Sequence, residues 1–320
     1  MKKAIIIRAV VLAVAIISTV CFGAAVGYQN IERYWNGNPR EFFGNLENVA
    51  PYGDFDDWSA MENPSNLRET REMELSSPME GKDTLRIHAD AAEVEIIKSA
   101  DGRFSADVDI YSLSGKYDTD RYNLTSTSEY DVYLGCNSAK KPNCAAVLRV
   151  VVPDSVKNLI VDVDAGEVDV TGLTLASLDV KLSAGNVEIH ILTADDIKAT
   201  VEAGNFETEN CNVKNADVNI NMGNAELSES FIYTESLKVN VNMGDAEIAL
   251  PRYPQAFSLS YDASMGNIEI DDDYRDYGIG SSSTSGISQS GTFSRNPQSL
   301  PEEEIIKIDV SVSMGNIKID

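Results

Sequence analysis

A short phrase, small residue–Gly–Asn–apolar–acid–apolar, recurs through the second half of this chain and leaves few folds open to it. It reads Ala165-Gly166-Glu167-Val168, Ala184-Gly185-Asn186-Val187, Ala203-Gly204-Asn205-Phe206 and Met222-Gly223-Asn224-Ala225. It continues as Met243-Gly244-Asp245-Ala246, Met265-Gly266-Asn267-Ile268 and Met314-Gly315-Asn316-Ile317. The glycines are spaced by 19, 19, 19, 21, 22 and 49 residues. A fixed period of this size marks units that bury a core only by stacking on their neighbours. The long last interval holds a Ser/Gly-rich stretch, Gly278 to Ser294, then Pro297 and Pro301, and reads as an insertion over 274–303. An eighth copy stands upstream in Leu85 to Ile96, with Ala92 at the glycine position.

Aligned on the glycine, the preceding positions −7, −5, −3 and −1 are apolar, as in Leu178, Val180, Leu182 and Ala184. Such alternation is a strand with one buried face. After the glycine the apolar positions fall at +2 and +4, as in Val187 and Ile189, so the parity slips by one. A straight strand that slips exposes its core face, whereas a corner absorbs the slip, and Gly-Asn tolerates corner geometry. A looser third side follows at Leu173 and Leu175, Leu192 and Ala194, Cys211 and Val213. The predicted fold is therefore all-β: a β-solenoid, right-handed and β-helix-like, of 19–22-residue coils cornered at Gly166, Gly185, Gly204, Gly223, Gly244, Gly266 and Gly315. Met222 and Met243 precede small Ala225 and Ala246, while Ala184 and Ala203 precede Val187 and Phe206. That reads as volume compensation inside one core.

Ahead of the repeats, Lys2, Lys3 and Arg8 flank an uncharged run from Ala9 to Tyr28. Twenty residues of helix span about 30 Å, the thickness of a bilayer core. Residues 1–28 are read as a signal-anchor with the N-terminus cytoplasmic and the remainder outside, although Gly23, Ala24, Ala25 and Gly27 also suit signal-peptide cleavage. Residues 29–80 carry Pro, Asn and acids without period and read as an extracellular stalk, leaving 81–320 for the solenoid domain. Within it, 97–158 breaks the period and forms an elaboration. Cys136 and Cys144 bracket a polar segment there; a disulfide stapling a hairpin is the reading, with two free thiols in a loop as the alternative. Cys211 falls on an inward position and is expected to be inert.

The chain carries 51 acids against 26 bases, a net charge of −25, which argues against nucleic-acid binding. Part of that excess has an address. Three residues after each corner stand Glu95, Asp169, Glu188, Glu207, Glu226, Glu247 and Glu269, with Lys318 last. Stacked about 4.8 Å apart in water, such neighbours repel by about 0.9 kcal/mol before screening. This stripe is a candidate site for Ca²⁺, a cationic peptide or a basic partner; the alternative is charge that keeps the solenoid soluble. Six residues before the glycine, Asp179, Lys198, Asp217 and Lys238 alternate in sign and can pair between coils. The Asn after each glycine is expected to form a structural ladder. His190 beside Glu188 is read as a surface pair, and Asp271-Asp272-Asp273 as a charged turn without calcium-loop spacing. No catalytic residue and no resident cofactor is assigned, and no nucleophile or phosphate-loop motif is present.

The N-terminal apolar segment, the opening Leu85-Arg86-Ile87 with Glu93-Val94-Glu95-Ile96, the Val150 to Pro153 run and the serial Gly-Asn repeats together resemble the bacterial DUF4097 family. This family is also called Toastrack and is often labelled putative adhesin. The resemblance covers about residues 80 to 320. It implies a β-solenoid displayed at the cell envelope, in some members beside envelope-stress signalling components, and it implies no catalytic residues. The expectation is a membrane-anchored surface scaffold that binds a protein partner or surface ligand for sensing. Adhesion to a host or matrix ligand is the alternative, and a carbohydrate-active β-helix enzyme a distant one. The chain ends on a repeat strand without a visible cap, so either the stalk or insertion covers it or the protein self-associates end to end.

Overall fold

A computed structural model describes residues 67–75, 82–113, 121–137, 144–228, 230–251, 255–270, 279–285 and 288–319. The expected anchor over 1–28, most of the stalk, and Asp271-Asp272-Asp273 lie outside the described residues. No helix among the described residues is long and apolar enough to cross a membrane.

The described chain is all-β, with 19 strands hydrogen-bonded into one continuous sheet. In chain order they begin with β1 (Leu67–Leu75), β2 (Thr84–Lys98), β3 (Ser105–Leu113), β4 (Tyr122–Thr125), β5 (Val132–Cys136) and β6 (Cys144–Val152). The regular coils follow as β7 (Asn158–Thr171), β8 (Thr174–His190), β9 (Thr193–Glu209), β10 (Asn212–Met222) with β11 (Ala225–Leu227), and β12 (Ile232–Met243) with β13 (Ala246–Ile248). Then come β14 (Phe257–Met265), β15 (Ile268–Ile270), β16 (Ile279–Ser285), β17 (Ser288–Arg295), β18 (Ile306–Met314) and β19 (Ile317–Ile319). Successive coils pair in parallel at the repeat period, for example Leu178↔Ile197 and Glu188↔Glu207. This is a solenoid-like stack.

The alternation does what it predicts. Leu178, Val180, Leu182, Val187, Ile189 and Leu192 are all buried, so three sides of one coil enclose the core. The glycine corner has a steric cause. Gly185 and Gly204 hold φ of 132° and 143°. A Cβ on Gly185 would stand 1.6 Å from the carbonyl oxygen of Gly166, and one on Gly204 would stand 1.5 Å from that of Gly185. Each corner therefore needs the bare backbone of its successor. Ala92 escapes because β5 pairs with Ile87–Ala89 and β6 with Glu93–Lys98, which leaves 90–92 without a strand partner on that side.

A second corner recurs one side later and has no consensus residue. Gly172, Ile191 and Asn210, each 19 apart, take φ of 76°, 55° and 56°. Gly and Asn suit that left-handed conformation, but Ile191 is β-branched and strained there, and it is 59% exposed.

The order of coils in the stack is not their order in the chain. β18 pairs with β12 on one side and with β14 on the other, and β19 lies likewise between β13 and β15. The C-terminal coil is thus slotted into the interior. Beyond β14 the insertion forms the β16–β17 hairpin, which closes that end antiparallel, Phe257 opposite Arg295. Arg295 is buried over the Phe257 ring, 4.8 Å from its centroid. At the opposite end β5 and β6 extend the stack below β2, β3 pairs antiparallel with β6, and β1 covers β3. Strand pairing therefore begins inside the stretch read as stalk. The C-terminal strands, which the sequence leaves as a bare end, are not an end of the stack: β12–β13 and β14–β15 flank them, and the insertion hairpin pairs with β14 instead.

Three other expectations change. β5 and β6 are not partners in a hairpin: both lie along β2, one after the other, and Cys136 is a free thiol whose Sγ accepts from Arg121 Nε at 3.3 Å. The expected bridge from Cys136 to Cys144 is therefore not formed, and residues 138–143 between them lie outside the described residues. Met222 and Met243 are only half-buried, and Met265 and Met314 are 47% and 39% exposed, so the methionines before the glycine sit at the rim of the core and do not fill it in exchange for Ala225 and Ala246. Lys318 pairs in register with Glu247 and Glu269, which separates two acids expected to be neighbours.

Candidate functional site

The acidic column is assembled as predicted across the regular coils, with Glu95↔Asp169, Asp169↔Glu188, Glu188↔Glu207, Glu207↔Glu226 and Glu226↔Glu247 in register. Its ends are neutralised. Arg149 on β6 reaches Glu95 at 2.7 Å, and Lys318 forms an ion pair with Glu247. Between those pairs the row Asp169, Glu188, Glu207, Glu226 contains no Lys or Arg. Burial lifts the Glu207 carboxyl above the ordinary range, with repulsion from Glu188 and Glu226 adding to it. His190 lies 3.3 Å from Glu188 and 3.5 Å from Glu209, a bridge between coils and not an acid–base pair aimed at a groove.

Beside the stripe, the corner residues form the expected ladder in a more specific way. The side-chain oxygen of Asn186 accepts from Asn205 N at 3.3 Å, Asn205 from Asn224 N at 3.1 Å, and Asn224 from Asp245 N at 2.9 Å. Asn316 follows Asp245 and Asn267 follows Asn316, again in stack order. One corner departs. Glu167 occupies the Asn position, is buried, and has Oε2 without a hydrogen-bond partner. Burial, then the neighbouring Glu188, pushes its carboxyl up to about 8, so it is protonated at neutral pH.

The face before the corner is different in kind. Its columns run Asp179, Lys198, Asp217, Lys238, with Asp309 next to Lys238, so the sign alternation extends one coil further than chain order suggests. Asn and Ser side chains cross-link adjacent coils, as in Asn240 to Asn219 at 2.8 Å and Ser236 to Asn215 at 2.7 Å. A shallow concavity of about 530 Å³ follows these columns.

At the β2 end of that face lies a cluster that sequence reasoning missed. His88 and Asp90 alternate on the outer face of β2, Asp162 and Asp164 on that of β7, and Tyr133 pairs with His88 from β5. His88 packs against Tyr133, stacked at 5.3 Å, and Tyr130, tilted at 4.9 Å, and the two tyrosine rings lie 6.3 Å from each other, so the three rings form one cluster. Its Nε2 lies 3.1 Å from Asp90 and its Nδ1 3.5 Å from Asp162. Tyr133 Oη donates to Asp90 at 3.3 Å, Tyr130 Oη to Asp162 at 3.2 Å, and Cys136 N to Asp90 at 2.7 Å. Burial lifts the Asp164 carboxyl, against the pull of His88 and with the push of Asp90 and Asp162. Alternate polar residues His-x-Asp and Asp-x-Asp were the available signal. Tyr130 and Tyr133 arrive from the aperiodic segment, so no spacing announces them.

The fold and its outward ladders define, among the described residues, a solenoid-like β-repeat protein. The sequence profile of the Toastrack DUF4097 family matches residues 82–320, and the chain belongs to that family. Solved structures similar to it include a putative adhesin from Bacteroides fragilis, 13% identical, covering 78% of this chain and 97% of that one at a TM-score of 0.43. Another is a putative adhesin from Parabacteroides merdae, 11% identical, covering 81% and 98% at 0.43. A third, from Parabacteroides distasonis, is 12% identical and covers 79% and 96% at 0.42. No curated protein matches the chain.

Proposed function

We propose that this protein is a non-enzymatic interaction scaffold of the cell envelope, held by its N-terminal segment and presenting the acidic stripe to a cationic segment of a protein partner or surface ligand. The observation that supports this reading is the row Asp169, Glu188, Glu207, Glu226, which contains no Lys or Arg while ion pairs close both of its ends. Repulsion along that row costs the fold stability, and a basic ligand lying across the coils offsets it. The test is binding of a deca-lysine peptide to the full chain in nanodiscs. The expected affinity falls steeply with salt and drops at least tenfold in Glu188→Gln/Glu207→Gln/Glu226→Gln. An affinity unchanged by the triple substitution refutes the reading. A melting shift with millimolar Ca²⁺ that the triple substitution abolishes would assign the stripe to a cation instead.

Sensing and adhesion are two uses of the same scaffold. A neighbouring histidine kinase and response regulator would favour envelope-stress signalling, and retention on a host-ligand array would favour adhesion. Turnover of a glycan by the full chain would overturn the non-enzymatic reading.

A further inference from the structure

We propose that His88, Asp90 and Asp164 form a site for one divalent transition-metal ion of the Zn²⁺ class, separate from the acidic stripe and independent of the function proposed for it. The ligand atoms these three residues offer all lie within 4.8 Å of one another. The placement is a product of the coil geometry. His88 and Asp90 are two apart on β2, so both side chains leave the same face, and the β2–β7 register brings Asp164 alongside Asp90.

The chemistry selects the ion. An imidazole among carboxylates suits Zn²⁺ and its neighbours, whereas Ca²⁺ and Mg²⁺ favour all-oxygen sets. The His88 Nε2 to Asp90 oxygen separation of 3.1 Å fits two ligands of a single ion with bonds of about 2.1 Å. The groups behind them are arranged as an outer shell. Nδ1 of His88 is buried, has no hydrogen-bond partner, and faces Asp162 at 3.5 Å, the direction in which a metal-bound imidazole turns its second N–H. Tyr133 and Cys136 N hold Asp90, Tyr130 holds Asp162, and the two rings fix the imidazole plane. The His88 side chain is only 12% exposed, while Asp164 is exposed and opens the site to solvent. Lys181 stands beside Asp162 in the β7–β8 register and Ser183 follows two residues later, so the next coil sets no Lys or Arg in register with Asp164.

The test is titration of the EDTA-stripped full chain with Zn²⁺ alone, followed by calorimetry and thermal melting, and with Co²⁺ for its visible spectrum. Saturation at one equivalent with a raised melting temperature is expected. Asp164→Asn, at an exposed position, should weaken Zn²⁺ binding at least tenfold without lowering the metal-free melting temperature, and Asp162→Asn about tenfold. Glu188→Gln and His190→Ala should leave it unchanged. Absence of stoichiometric binding, equal binding by Asp164→Asn, loss of binding in the stripe variants, or a response to Ca²⁺ without one to Zn²⁺ would each overturn the assignment.

Discussion

Replacing Glu167 by Gln isolates the glycine corner at which a buried acid interrupts the Asn ladder. Unfolded, this carboxyl titrates near 4.5; in the fold, burial and Glu188 raise it to about 8. Between those values the folded chain holds a proton that the unfolded chain has released. Stability on account of this group therefore falls as pH rises from 4.5 to 8 and is level on either side. At about 1.4 kcal/mol per pH unit, the full displacement bounds the loss near 5 kcal/mol. Because Glu167 interacts directly with Glu188, the full displacement is an upper bound, and a measured difference of about 2 kcal/mol is expected. Urea unfolding of both proteins from about pH 5 to pH 9 reads it directly. Wild type should lose about 2 kcal/mol more than Glu167→Gln across that range. Parallel stability curves would refute the claim that a buried, protonated carboxyl stands at this corner.

Gly204→Ala places a Cβ against the Gly185 carbonyl and should cost at least about 3 kcal/mol, while Ala92→Gly, with no strand partner on the side away from β7, should change stability by less than about 1 kcal/mol. Equal effects in chemical unfolding would remove the steric account of the corner. Ile191→Gly relieves a β-branched residue at φ 55° and should stabilise by about 1 kcal/mol in the same assay; a destabilised variant would contradict it. Cys136 should alkylate in the native protein and Cys211, buried with its thiol pushed up by burial, only on unfolding, as peptide mass mapping would show. A Cys136-containing disulfide peptide from non-reduced protein would restore the bridge that the structure lacks.

Much of the coil is legible in the amino-acid sequence. The period, the parity slip at Gly-Asn and the inward positions Leu178, Val180, Val187 and Ile189 follow from which side chains avoid water, and burial agrees at each of them. The second corner is illegible because Gly172, Ile191 and Asn210 share a conformation and not a residue type. The His88 cluster is hidden for a similar reason, since Tyr130 and Tyr133 reach it from a segment without period. The methionines mislead because an apolar residue next to a corner satisfies the alternation whether or not it points inward.

The sequence by itself determined what one coil looks like, since local alternation and a bare glycine are properties of a single repeat. Only the tertiary structure decided which coils are neighbours. Every glycine fits against every other, so the corner column does not rank the possible orders, and the C-terminal coil enters between β12–β13 and β14–β15 as readily as beyond them. Charge gives the reason this order is favourable. Slotted there, Asp309 stands beside Lys238 and Lys318 beside both Glu247 and Glu269, whereas chain order would set Ser260 against Lys238 and two glutamates against each other. The hairpin then closes the edge of β14, and the acidic row is left with cations only at its ends.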